Sequence, residues 1–174
     1  MKQFGGRVLF LDRSDINTDE IIPAKYLNED TKEALKPNLL EDLRLPGFNP
    51  EKDIAGTGAI VSRANFGCGS SREHAAWALE VNGINIVIAE SFARIFRQNM
   101  YNCGMIACEI PPEELSLIFD EFANAETVLS VDLAADVLCF TADDRKKNVS
   151  FTLGGFEKAL VTAGGWVPYA AGRY

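Results

Sequence analysis

Residues 84–110 read INIVIAESFARIFRQNMYNCGMIACEI, and this stretch decides the fold class. Its two ends, INIVIA and MIACEI, are short apolar runs typical of buried strands. Between them, the spacing of Phe92, Ile95, Phe96 and Met100 predicts an amphipathic helix with these residues on its core face. A strand, a helix and a strand in this order indicate two parallel strands joined by a right-handed crossover.

The same alternation extends to both sides of this stretch. Residues 59–62 have the pattern of a strand, and residues 71–81 that of a helix that ends at Asn82-Gly83. Downstream, Pro111-Pro112 open a predicted helix that continues to about Phe122. Upstream, residues 7–11 form one more apolar run. Because strands and helices alternate from about residue 59 to 125, the sequence predicts an α/β fold with a parallel central sheet.

The C-terminal third has a different pattern. TVLSVDL, DVLCFTA and NVSFTL, between residues 127 and 153, have the pattern of short antiparallel strands, with ADD and DRKKN as the turns between them. A last helix is predicted at about residues 156–162, before Gly164-Gly165. The prediction is therefore one domain over residues 1–174, with an antiparallel layer added to the parallel sheet.

Residues 25–55 are the least regular part of the chain. Pro37, Pro46 and Pro50 divide it into short helices and turns. We expect this segment to run over the surface rather than through the core, where segments of this kind often carry binding determinants.

Composition excludes several classes of function. The chain has 174 residues, a formal net charge of −8 and 47% hydrophobic residues, as in an ordinary globular protein. The acidic balance argues against nucleic acid as a partner. No apolar run approaches the roughly 20 residues that cross a bilayer, and the start has no signal-peptide pattern. We therefore expect no membrane association and a cytoplasmic location.

The cysteine pattern argues against a metal site made by this chain alone. Cys68, Cys103, Cys108 and Cys139 contain no CxxC pair, and their spacings of 35, 5 and 31 residues match neither zinc nor ferredoxin sites. We expect four free thiols and no bound metal. His74, the single histidine, is expected to be structural.

Residues 65–75, NFGCGSSREHA, carry the strongest chemical signal. Ser70 and Glu73 fit a capping box, which predicts Ser70 as the N-cap of a helix. That structural role alone would explain the pattern. The same atoms also suit anion binding, because a glycine loop before a helix presents free N–H groups and Arg72 offers a fork for a carboxylate. Ser70 or Ser71 would then be a hydroxyl in a positive field.

The motifs, taken together, resemble a known family. GCGSSREHA, followed by INIVIAESFARIFRQNMYNCG, is similar to the swivel domain of the aconitase superfamily. The upstream DINTDEIIPAKYL resembles the start of the isopropylmalate dehydratase small subunits. The resemblance covers about residues 5–110. It implies a swivelling three-layer β/β/α domain of the aconitase small-subunit type.

The resemblance also implies an activity and a partner. The family performs a stereospecific dehydration and rehydration that isomerises 2-isopropylmalate and 3-isopropylmalate in leucine biosynthesis. A separate large subunit is expected to carry a [4Fe-4S] cluster whose iron acts as a Lewis acid on a small hydroxy-di- or tricarboxylate. This chain would bind no cofactor itself. It would be active only in the heteromer, and the isolated chain is a candidate homo-oligomer.

Matching the family motif residue by residue implies a role for each site residue. Ser70 takes the position of the general base, and Ser71 and Arg72 take the positions that hold a substrate carboxylate. Asp19 matches an aspartate that supports the site. Lys25 lies near the position of a basic residue that selects the substrate, with Arg44 as the alternative.

Other functions stay open at this stage. Homoaconitase, 2,3-dimethylmalate dehydratase and citraconate or maleate hydratase use the same chemistry, and the segment 25–55 would distinguish between them. A non-catalytic carboxylate-binding module is a second class. A serine hydrolase fails for want of a nucleophile elbow and a suitable base. Cys68 lies in the site loop, which makes its oxidation a candidate means of regulation.

Overall fold

A computed structural model describes all residues from 1 to 174, and its centre is one mixed sheet of seven strands. The strands are β1 (Gly5–Phe10), β2 (Thr57–Val61), β3 (Ile86–Ala89), β4 (Ile106–Glu109), β5 (Val128–Asp132), β6 (Val137–Ala142) and β7 (Arg145–Ser150). Their order across the sheet is β4-β3-β2-β1-β5-β6-β7.

The first four strands are parallel and the last three antiparallel, which confirms the predicted α/β class. The two parts form one continuous sheet, because β1 pairs with β2 on one side and with β5 on the other. Every residue of β2 and β3 is buried, as expected for parallel strands covered on both faces. In β6, buried and half-buried residues alternate, which is typical of a sheet with one face toward the core.

Eight α-helices surround the sheet. They are α1 (Thr18–Ile21), α2 (Lys32–Leu35), α3 (Pro50–Asp53), α4 (His74–Val81), α5 (Arg94–Asn102), α6 (Pro112–Phe122), α7 (Gly155–Ala163) and α8 (Trp166–Ala171). Two short 3₁₀ helices, Ala24–Tyr26 and Lys36–Asn38, lie between α1 and α3. No helix is both long and apolar enough to cross a membrane.

The core face of α5 differs from the prediction at two residues: Phe92 lies before the helix, where it forms an isolated bridge with Phe66, and Ile95 is exposed. Phe92, Phe96 and Met100 are buried as predicted, but the Ile95 side chain is 44% exposed. The first turn of α5 lies at the surface beside the loop that follows β2, and Ile95 lines a shallow depression there. Helical spacing places Ile95 next to the buried stripe, but it does not reveal where the first turn leaves the core.

The expectation that residues 25–55 avoid the core was wrong. The segment is irregular, but it contributes four buried leucines to the hydrophobic core: Leu35, Leu39, Leu40 and Leu43. Helix α2 packs against α4, and the backbone N–H of Leu40 donates to the carbonyl of Ile21 at 2.8 Å. Pro37 lies in the first turn of the 3₁₀ helix Lys36–Asn38 and Pro50 opens α3, while Leu39, Leu40 and Leu43 between them stay buried.

The last hairpin also differs from the prediction. DRKKN is not a turn, because Arg145–Ser150 forms β7 and pairs with β6 along its whole length. The turn consists of Asp143 and Asp144 alone. β7 is an edge strand, and exposed charged residues protect such an edge from pairing with other chains. Its composition therefore resembles that of a loop. The helix α8, after Gly164-Gly165, was not predicted.

Candidate active site at the carboxyl ends of the parallel strands

Three segments that follow parallel strands meet beyond one edge of the sheet. The segment with α1 follows β1, residues 62–73 follow β2, and the start of α5 follows β3. The carboxyl ends of neighbouring parallel strands lie at the same edge, where α/β proteins build their binding sites. The topology therefore brings Asp19, the two serines and Arg94 to one region although they are far apart in sequence.

Backbone hydrogen bonds join these three segments. The N–H of Gly67 donates to Ile16 at 2.8 Å, and that of Ala93 donates to Phe66 at 3.0 Å. Isolated parallel bridges pair Asn17 with Cys68 and Phe66 with Phe92. The loop after β2 is thus held on both sides.

Ser70 is not the N-cap of α4, which corrects the capping-box prediction. The helix begins at His74, its N-cap is Glu73, and no side chain caps it. Instead, the Ser70 hydroxyl oxygen accepts a hydrogen bond from the backbone N–H of Arg72, at 3.3 Å. Serine hydroxyls compete in this way with helical hydrogen bonding, so the segment 70–72 stays outside the helix. The capping box of this region lies in α1, where Asn17 and Glu20 cap each other.

Three of the predicted site residues line one narrow cleft of about 10 Å³. Asp19, Ser70 and Arg72 surround it together with Thr18, Ile22, Leu27 and Ala75. Asp19 and Arg72 are exposed. The Arg72 guanidinium forms no ion pair and no hydrogen bond within the chain, so its fork is free for an external anion.

Ser71 lies on the other side of Ser70. It lines a shallow depression with Gly67, Gly69, Arg94 and neighbouring residues of α5. Ser70 lines both the cleft and this depression. Arg94 is exposed and supplies a second positive charge beside the serines. Its position at the start of a helix that follows a parallel strand is the signal in the sequence that could have pointed to the site.

Lys25 and Arg44 line neither of these two surfaces. The Lys25 ammonium lies 5.2 Å from the centre of the Tyr26 ring, and the Tyr26 hydroxyl donates to Glu41 at 3.2 Å. The pKa of Lys25 is raised by the ionisable hydroxyl of Tyr26 and the carboxylate of Glu41. Arg44 lines a separate groove of about 980 Å³ formed mostly by residues 33–55.

The cysteines do not form a cluster site. Cys68 lies in the site loop, Cys103 ends α5, Cys108 lies on β4 and Cys139 on β6. All four are free thiols. No three His, Cys, Asp or Glu side chains lie close enough to hold a metal ion. This arrangement does not fit an iron–sulfur cluster, which needs several thiolates around one centre.

His74 does not pair with either serine. Its Nε2 lies 3.2 Å from the carbonyl oxygen of Glu29, and its ring packs against Trp77 at 4.9 Å between centroids. No base of the serine-hydrolase kind therefore lies next to Ser70 or Ser71.

Comparison with known proteins identifies the family. Residues 2–113 match the model of the aconitase C-terminal domain. The 3-isopropylmalate dehydratase small subunit of Novosphingobium aromaticivorans is 37% identical, over 94% of this chain and 80% of the relative. That of Cytophaga hutchinsonii is 38% identical, over 90% and 81%.

A solved structure agrees in fold. The crystal structure of 3-isopropylmalate dehydratase from Methanocaldococcus jannaschii superposes with a TM-score of 0.79 and 32% identity, covering 98% of this chain and 94% of that chain. The chain belongs to the 3-isopropylmalate dehydratase small-subunit family of the aconitase superfamily. The match to the aconitase C-terminal domain spans β1 to β4 and every predicted site residue. The antiparallel strands of this family member lie outside it.

Proposed function

We propose that this chain is the small subunit of a heteromeric hydro-lyase that interconverts 2-isopropylmalate and 3-isopropylmalate, with Ser70 as the general base. One observation carries the proposal: a single cleft is lined by Asp19, Ser70 and Arg72, which come from different parts of the sequence. The names of the relatives support the choice of substrate.

Substrate binding is assigned to Arg72 and Ser71. A guanidinium without an internal partner can hold a carboxylate through two parallel hydrogen bonds. The net charge of −8 repels a dianionic substrate at long range, so the local cations Arg72 and Arg94 have to supply the attraction. The Ser71 hydroxyl, next to Arg72 and exposed, supplies a further donor.

Proton abstraction is assigned to Ser70. Its oxygen already accepts the Arg72 N–H, and a hydrogen bond of this kind stabilises the oxygen more strongly once it is negatively charged. As an alkoxide, Ser70 takes a proton from the carbon next to the one that carries the hydroxyl. The C–H bond breaks, an O–H bond forms on Ser70, and the C–H electron pair becomes the C=C bond of the alkene. The substrate hydroxyl departs as hydroxide and takes a proton from solvent or from an acid of the large subunit to become water. Addition of water in the opposite orientation gives the isomer, and return of the Ser70 proton regenerates the base. Asp19, across the cleft, is assigned the role of orienting Arg72 or the bound substrate.

The partner and the cofactor complete the proposal. A large subunit is proposed to carry the [4Fe-4S] cluster, which would polarise the departing hydroxyl. Substrate selection is assigned to the segment 25–55, through Lys25 or Arg44. Since neither lines the cleft, this role requires the segment to face the assembled site.

Anaerobic reconstitution with the cognate large subunit tests the proposal. Turnover of 2-isopropylmalate is measured beside that of citrate, homocitrate and 2,3-dimethylmalate, with wild-type chain and with Ser70→Ala. We expect preference for 2-isopropylmalate and a loss in kcat of about 10²–10⁴-fold for Ser70→Ala, with assembly unchanged. Preference for another acid would keep the mechanism and change the substrate. Near-normal turnover by Ser70→Ala would show that Ser70 is not the base. If the wild-type complex turned over none of the four acids, a non-catalytic module would be favoured.

A further inference from the structure

Ser70 and Ser71 lie in a segment that has neither helix nor strand. α4 begins only at His74, so helical hydrogen bonds do not hold the two serines. A catalytic group has to stay within about 0.5 Å of its productive position. Other contacts must therefore fix this segment.

Thr18 makes the first of these contacts. Its Oγ1 accepts a hydrogen bond from the backbone N–H of Ser70 at 2.8 Å, and its own N–H donates to the carbonyl of Cys68 at 2.8 Å. The Thr18 side chain is buried, with 5% exposure. Gly69 permits this approach, because a Cβ at that position would lie 3.0 Å from Thr18 Oγ1 and its φ of +109° is unfavourable for other residues.

Asn99 makes the second contact from the opposite element. Its Nδ2 donates to the carbonyl oxygen of Ser71 at 3.1 Å. Asn99 is 8% exposed and lies on α5 among buried residues such as Phe96 and Met100. A polar amide on this face would be costly to bury without its hydrogen bond.

Buried polar side chains are rare in this protein. Apart from the Tyr101 hydroxyl and the Cys108 thiol, five residues with polar side chains are buried, namely Thr18, Thr57, Ser62, Asn99 and Thr127. Two of them bond to the backbone of the Ser70-Ser71 dipeptide, one at its first N–H and one at its last carbonyl. The remaining three bond to backbone carbonyls elsewhere.

We infer that Thr18 and Asn99 are positioning residues that clamp the Ser70-Ser71 dipeptide in the geometry its hydroxyls need for the reaction. Thr18 acts from the segment after β1 and Asn99 from the helix after β3, so the clamp also ties the site to both neighbouring strands. The inference rests on the proposed function of Ser70, whereas the two hydrogen bonds are observed whatever that function is.

Four variants test the clamp in the reconstituted enzyme. Thr18→Val keeps the shape and removes the acceptor, Thr18→Ser keeps the hydroxyl, and Asn99→Leu removes the donor. Thr127→Val is the matched control, since Thr127 is also buried and its hydroxyl donates to the carbonyl of Phe122 between α6 and β5. The measurements are kcat and KM, the thermal unfolding midpoint, and amide exchange at Ser70 in the full chain.

We expect the clamp variants to lose turnover, whereas the control variant should lose stability alone. Thr18→Val and Asn99→Leu should each lower kcat by about 10- to 100-fold with a smaller change in KM, as misplacement of a reacting group does. Thr18→Ser should recover most of kcat. Thr127→Val should lower the unfolding midpoint to a similar extent and keep kcat within about twofold of wild type. Exchange at the Ser70 amide should accelerate at least about tenfold in Thr18→Val.

Two results would overturn the clamp. One is wild-type kcat in both Thr18→Val and Asn99→Leu. The other is a fall in kcat that follows the stability loss equally in these variants and in Thr127→Val. Failure of the proposed function is a distinct result, because it appears as normal turnover in Ser70→Ala while the Ser70 amide still responds to Thr18→Val.

Discussion

The hydroxyl oxygen of Ser70 accepts a hydrogen bond from the backbone N–H of Arg72, and this contact replaces the helix cap that the sequence suggests. The bond spans two residues, whereas a capping-box serine bonds the third residue after it. Ser70 therefore does not close the end of α4, and it lines the cleft that Asp19 also lines.

Stability measurements can test whether Asn17 caps α1 and whether Ser70 caps α4. Asn17 accepts the N–H of Glu20 at 2.9 Å and caps α1. Asn17→Ala should therefore lower the free energy of unfolding by about 1 kcal/mol, whereas Ser70→Ala should change it by less than about 0.5 kcal/mol. Urea denaturation of the two variants measures both values. A loss of about 1 kcal/mol in Ser70→Ala would mean that Ser70 does cap the helix.

Arg72→Lys should weaken substrate binding without changing stability. The charge of the chain stays at −8, so the long-range field is unchanged and only the planar fork is lost. We expect KM in the reconstituted enzyme to rise about tenfold. Arg173→Lys, an exposed arginine near the C-terminus, is the control and should leave KM unchanged. If both variants bind substrate as wild type does, Arg72 holds no carboxylate.

Residues 25–55 should contribute strongly to stability. The Leu39 side chain is buried, so Leu39→Ala should cost about 2–5 kcal/mol through lost burial and a residual cavity. Leu117 on α6 is 50% exposed, and Leu117→Ala should cost less than about 1 kcal/mol. Denaturant titration of the two variants compares the positions. If both variants lost the same small amount of unfolding free energy, residues 25–55 would lie at the surface, as their prolines suggest.

The Cys68 thiol should react slowly near neutral pH. Burial raises its pKa, because burial disfavours the charged thiolate, and Asp15 adds to the effect. At any pH below that raised pKa, the thiolate fraction is lower than in an ordinary cysteine. Burial raises the pKa of Cys103 and Cys108 further, to about 12.

Iodoacetamide labelling followed by mass spectrometry tests this prediction. The labelling rate of Cys68 should rise with pH through a midpoint above that of free cysteine, and Cys103 and Cys108 should label last. Rapid labelling of Cys68 at neutral pH would instead indicate an activated thiol and favour its oxidation as a regulatory step.

Much of the fold follows from local pattern. The parallel strands are short and mostly apolar, and α4 ends at Asn82-Gly83 as predicted. Gly83 and Gly104, which follow α4 and α5, both have positive φ. The predictions from local pattern were wrong where a segment's composition does not match its burial or its secondary structure. Proline-rich residues 36–50 contain buried leucines, and the charged strand β7 has the composition of a turn.

The sequence proposed residues for the candidate site but did not indicate what holds them in place. The glycine-loop motif singled out Ser70, Ser71 and Arg72, because hydroxyl and guanidinium groups beside such a loop are distinctive in sequence. Asp19 was implied by the family resemblance alone. Thr18 and Asn99 carried no such signal. A threonine or an asparagine is common on protein surfaces, and only its burial next to a particular backbone group reveals a role.

The sequence by itself determined the α/β class and the family, and it proposed the chemical groups of the site, since these depend on residue type, periodicity and motif. Only the tertiary structure decided that the parallel and antiparallel strands form one sheet, that Ser70 lies outside α4, and that Lys25 lies away from the cleft. The physical reason is that hydrogen bonds such as that from Ser70 to Thr18 join residues 52 positions apart. Such partners meet only after the strands have paired.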